Sequence, residues 1–135
     1  MRSLPKPLVW AGMSLMLLVA FVHLISAPYA FEDATYKGGL LVIAAISALI
    51  AATGIQEGAP SWGWGLGSIV AVAALASYMV NITVGLPGLP AEEQGWQNPL
   101  ALVALVAEAG LVMLAAGTFY IARRQVRRVS HRMAS

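Results

Sequence analysis

The chain has 135 residues, of which 59% are hydrophobic and only 10% charged, and its formal net charge is +2. A charged fraction so far below the roughly 25% of soluble domains excludes an ordinary globular protein. No cysteine is present, which excludes disulfides, thiolate chemistry, Cys-ligated zinc, iron–sulfur clusters and attached c-type haem.

Hydrocarbon about 30 Å thick is crossed by roughly 20 helical residues rising about 1.5 Å each. Apolar stretches of this kind occupy residues 8–27, 38–54, 63–84 and 99–122. They predict an all-α polytopic membrane protein: one membrane domain over 1–135, a four-helix transmembrane bundle, and a basic tail at 123–135. Arg2 and Lys6 precede the first stretch in the manner of a secretory signal. Its apolar core is longer than the usual 7–15 or so residues and no small-x-small cleavage site follows, so it is read as a retained helix. His23 lies near its far end, on one helical face with Gly12, Met16, Val19 and Ala27. Pro28 is expected to end this helix, leaving residues 28–37 as a loop that carries Glu32 and Asp33.

The second span is the shortest and offers a stripe of small residues, Ala44, Ser47, Ala51 and Gly54. A short turn over 55–62 leads to the third span, where Trp62 and Trp64, like Trp10 and Trp96, are placed as interfacial anchors. Gly63, Gly65 and Gly67 permit close backbone approach and include one G-x-x-x-G pair, a weak dimerisation signal. Tyr78 and Asn81 lie toward the far end of this span, in line with Ala74 and Ser77. Asn81-Ile82-Thr83 matches a glycosylation acceptor, but the hydrocarbon edge puts it beyond the modifying machinery. Pro87 and Pro90 mark the next connection, and Pro99 suits the first turn of the fourth helix. Glu108 follows nine residues into that helix, on a face with Ala101, Ala104 and Ala115.

Basic residues cluster at the two ends of the chain, leaving Lys37 alone in a loop. The positive-inside rule therefore predicts cytoplasmic termini in a multi-pass cell-membrane protein, in agreement with an even number of spans. Arg123, Arg124, Arg127 and Arg128 stand at helical spacing beside the headgroups, where each contributes about 1 kcal/mol with anionic lipid. The bilayer and its anionic headgroups are the expected partners of this tail, and nucleic acid is not. A homo-oligomer or a larger membrane complex is an open alternative for the whole chain.

Counting rises from the predicted outer ends sets His23 at about 6 Å depth, Asn81 at about 5 Å, Tyr78 at about 9 Å and Glu108 at about 14 Å. A carboxylate near the membrane centre costs about 2.5–3.5 kcal/mol on insertion scales and faces protein or water. His23, Tyr78, Asn81 and Glu108 therefore form the candidate ligand-binding group, weighed against well-satisfied packing with a neutral, hydrogen-bonded Glu108. His23 with Glu32 and Asp33 is the candidate set for a divalent metal such as zinc, manganese or ferrous iron, although adjacent loop acids are ordinarily solvated charges. His23 with Met16 or Met79 would suit cuprous copper, whereas those methionines more often serve packing. No nucleophile triad, Walker loop or zinc-hydrolase helix pattern is present, so the reading leans away from an enzyme. Three functions stay open: a protein holding a small ligand or metal ion in an outward-facing polar pocket, a proton-coupled small transporter acting as an oligomer, and a structural subunit of a membrane complex.

The pattern His23-x4-Pro28-x3-Glu32-x5-Gly38, the run of residues 84–88 (Val-Gly-Leu-Pro-Gly), and Trp96, Pro99 and Glu108 beyond them resemble small four-helix integral membrane proteins of bacteria with no assigned activity. The resemblance covers roughly residues 20–110. It implies a bacterial inner membrane and draws attention to His23, Glu32 and Glu108. The chain departs from it at Asn81-Ile82, where Ser-Arg would be expected.

Overall fold

The computed structural model describes residues 4–57 and 62–133, without the side chains of 122 and 125–133. Its helices are α1 (Lys6–Asp33), α2 (Thr35–Gln56), α3 (Trp62–Thr83) and α4 (Pro99–Met133), with one 3-10 turn at Gly95–Gln97. Among the described residues there is no strand. Arg2, the turn positions 58–61 and the side chains of Arg127, Arg128 and Arg132 lie outside what is described. All four helices contain a stretch long and apolar enough to cross a membrane, which in α4 is Pro99–Ile121. The chain is a multi-pass membrane protein built as an all-α four-helix bundle.

The helices pack in a ring in chain order, with α1 against α2 and α4, and α3 against α2 and α4. Met16, Val19, Ala48, Ile55, Trp64 and Leu111 are fully buried at its centre. Ile43, Ile69, Val106 and Met113 point outward and are exposed. Such a surface in water would drive association, whereas acyl chains solvate it.

Proline at position 28 does not end the first helix. α1 continues through Pro28 to Asp33, and Ala34 alone, in an extended conformation, joins it to α2. The expected loop over 28–37 is therefore a single-residue corner. Proline removes one backbone donor and crowds the preceding turn, but packing secures the extra length: Ala27 and Ala30 are buried, and the Phe31 ring lies where a Cβ on Gly38 would stand. The carbonyl of Ala34 then accepts from the N–H groups of Lys37 and Gly38, starting α2.

At the other end of this pole, Gly85 adopts φ +90 and closes α3, its N–H and that of Val84 both donating to the Val80 carbonyl. A left-handed residue at this position favours glycine. Asn98 starts α4 by accepting the N–H groups of Leu100 and Ala101 on Oδ1 at 3.0 and 3.3 Å, with Pro99 in the first turn as its sequence predicts.

Two packing expectations change. Trp64 is 0% exposed, its ring resting on Gly12, while Trp10, Trp62 and Trp96 are exposed as interfacial anchors require. Among the described residues, the Trp64 indole N–H has no hydrogen-bond partner. The glycine pair of α3 is spent inside the bundle: a Cβ on Gly63 would strike the Gly54 backbone, and one on Gly67 would meet Met16. Those two glycines set the spacing of α3 from its own neighbours, whereas Gly65 has open space beside it.

Candidate functional site

His23 and Glu108 meet across the α1/α4 interface, with Nε2 3.5 Å from Oε1 and residue exposures of 6% and 3%. Residues Gly12, Met16, Val19 and Ala27, predicted to share the face of His23, are buried with it. The longer α1 explains the meeting. His23 lies ten residues from the helix end at Asp33, about 15 Å, and Glu108 nine residues from Pro99, about 14 Å. A helix ending at residue 27 would set the two at unequal depths.

The imidazole Nδ1 lies 2.8 Å from the Val19 carbonyl. A carbonyl only accepts, so Nδ1 carries a proton and Nε2 is the atom left to face the carboxyl group. One further proton on either Nε2 or Oε1 makes the pair neutral overall, as imidazolium with carboxylate or as imidazole with carboxylic acid. At such burial a pair that is neutral overall avoids the desolvation penalty that either residue would carry if charged alone.

Tyr78 and Asn81 do not join this pair. Both turn toward the connection between α3 and α4: the Tyr78 hydroxyl donates to the Gly95 carbonyl at 2.9 Å, and its ring meets Trp96 edge-on at 5.9 Å. The Asn81 carbonyl accepts from the Glu92 N–H at 2.9 Å, and its Nδ2 donates to Glu92 Oε2 at 2.8 Å. The four residues expected as one group thus form two, one inside the bundle and one at its end.

At that end the corner between α1 and α2 meets the connection. Lys37 is paired with Asp33 and lies 3.6 Å from Glu92 Oε2, and the Tyr36 hydroxyl donates to the Pro87 carbonyl at 2.7 Å. Together with Asn81, Leu89 and Pro90, these charged groups line a cavity of about 260 Å³. Lys37 and Glu92 are the residues the sequence reading passed over. The available signal was charge: Lys37 is the one basic residue on the predicted outer side, among Glu32, Asp33, Glu92 and Glu93.

The candidate metal set is not assembled. His23 faces Glu108, Asp33 pairs with Lys37 and Glu32 is exposed, and no group of three His, Asp or Glu among the described residues is placed to hold a metal ion. At the opposite pole Arg123 and Arg124 are exposed, the Arg124 guanidinium lying 4.6 Å from the centre of the Tyr120 ring. That stacking holds a cation at the level of an interfacial aromatic.

No protein-family model, curated protein or solved structure matches this chain.

Proposed function

We propose that the chain is a multi-pass protein of a bacterial inner membrane, with both termini cytoplasmic, that holds a small polar ligand in the pocket at the acidic end of its bundle. The observation that carries this reading is convergence: Asp33 from α1, Lys37 from α2, Asn81 from α3 and Glu92 from the connection line one cavity of about 260 Å³. The cavity is open to solvent, with Asp33 and Glu92 exposed at its rim, so a small polar molecule can reach the charged groups that converge there. For scale, an engineered cavity of about 150 Å³ admits benzene. The arginines at the opposite end support cytoplasmic termini, and the spacing of His23, Pro28, Glu32 and Gly38 supports a bacterial membrane.

The test is a mass-spectrometric inventory of small molecules that co-purify in gentle detergent with the wild type and with Asn81→Ala. A species retained by the first and lost from the second is expected. Identical inventories overturn the reading.

Proton-coupled transport by an oligomer is a second reading, favoured by two titratable side chains, His23 and Glu108, buried 3.5 Å apart inside the bundle. It predicts proteoliposome flux that follows the pH gradient and disappears in Glu108→Gln. Flux indifferent to both disposes of it.

A further inference from the structure

We infer that the ligand of the acidic-end pocket is a small organic ammonium group, and that Lys37 is an internal occupant which the ligand displaces. The inference rests on the pocket being a ligand site. Its charged lining consists of Asp33, Glu92 and Lys37, two negative charges against one positive. The Lys37 ammonium already sits between the two carboxylates, in contact with Asp33 Oδ2 and 3.6 Å from Glu92 Oε2. A primary ammonium is a compact charge with three donors, so the side chain itself displays the chemistry that this cradle accepts.

Departure of the Lys37 head vacates the place beside Asp33 Oδ2 and Glu92 Oε2 for the incoming ammonium. Leu89, Pro90 and Ala91 supply an apolar wall for its carbon chain. An anion meets the reverse situation, since the single cation is already neutralised and two carboxylates stand beside it. The four-carbon stem of Lys37 lets its head swing toward the open rim, so displacement requires no backbone movement.

The same ammonium chemistry is offered by a free amine and by an ethanolamine lipid headgroup. Calorimetry on the full chain in detergent, with ethylammonium chloride, sodium acetate and calcium chloride as probes, tests the class. Native mass spectrometry from nanodiscs of phosphatidylethanolamine against phosphatidylglycerol separates the sources. Ethylammonium binding, or selective retention of phosphatidylethanolamine, is expected. An internal occupant lowers apparent affinity by the fraction of sites it fills, so Lys37→Met should tighten ethylammonium binding by about tenfold or more, while Glu92→Gln weakens it by about as much. Binding of acetate that is lost in Lys37→Met, or of calcium alone, overturns the ammonium assignment and leaves the ligand pocket standing. No binding by any probe or lipid overturns both.

Discussion

The arrangement around His23 sets unequal consequences for changes at Glu108. Because Nδ1–H is committed to the Val19 carbonyl, Nε2 of a neutral ring requires a donor from α4. Glu108→Gln supplies one through its amide and should cost less than about 1 kcal/mol. Glu108→Leu supplies none and leaves a buried acceptor unpaired, at about 1–3 kcal/mol. Removing both polar partners in His23→Phe with Glu108→Leu should recover much of that loss. Thermal unfolding of the four proteins in one detergent measures the series, and equal destabilisation by Gln and Leu would refute the donor assignment. Of this pair the sequence disclosed both members and the face of α1 that carries His23, but not their contact. Trp64 shows the limit of residue type: two positions along a helix from Trp62 it is turned by about 200°, so one ring faces outward and the other is buried on Gly12.

Individual helices show which features an apolar sequence encodes well. Span number followed from length and hydropathy, and all four stretches are helices. Phase was harder in α2, where the expected stripe of Ala44, Ser47, Ala51 and Gly54 is only half correct: Ala45, Ala48, Ala51, Ala52, Gly54 and Ile55 are buried. A helix that is apolar all round has no polar face to mark its orientation, and small residues lie on several sides. The end of α1 does not follow from Pro28, because the packing of Phe31 over Gly38 joins residues that only the corner brings together. Close packing also separates the glycines of α3. Gly63→Ala puts a methyl group into the Gly54 backbone and should cost about 1–3 kcal/mol. Gly65→Ala meets nothing and should gain about 0.5–1 kcal/mol from helix propensity. Melting temperatures of the two variants check the difference; a Gly63→Ala protein as stable as wild type would mean that α2 and α3 are further apart.

For the whole molecule, the distribution of charge relates the pocket to the bilayer. Glu32, Asp33, Glu92 and Glu93 stand at the pole formed by the α1/α2 corner and the α3/α4 connection, while Arg123 and Arg124 extend α4 past Ile121 at the other pole. Neighbouring helices run in opposite directions, so the start of α1 and the end of α4 belong to one pole, and the lysine and arginine bias is what supports the proposal that this pole is cytoplasmic. In that proposed orientation the acidic pocket opens to the outside, where a ligand would reach it without crossing the hydrocarbon. Absence of cysteine makes this orientation directly measurable. Glu93→Cys should react with a membrane-impermeant maleimide in intact cells or right-side-out spheroplasts, and Arg123→Cys only after the membrane is opened. Both positions are exposed, so failure of access reports the bilayer and not burial in the protein. The reverse labelling pattern would turn the pocket inward and make its ligand a cytoplasmic one. Labelling of both positions from outside would require an odd number of crossings between residues 93 and 123 to fail, which would remove α4 from the membrane.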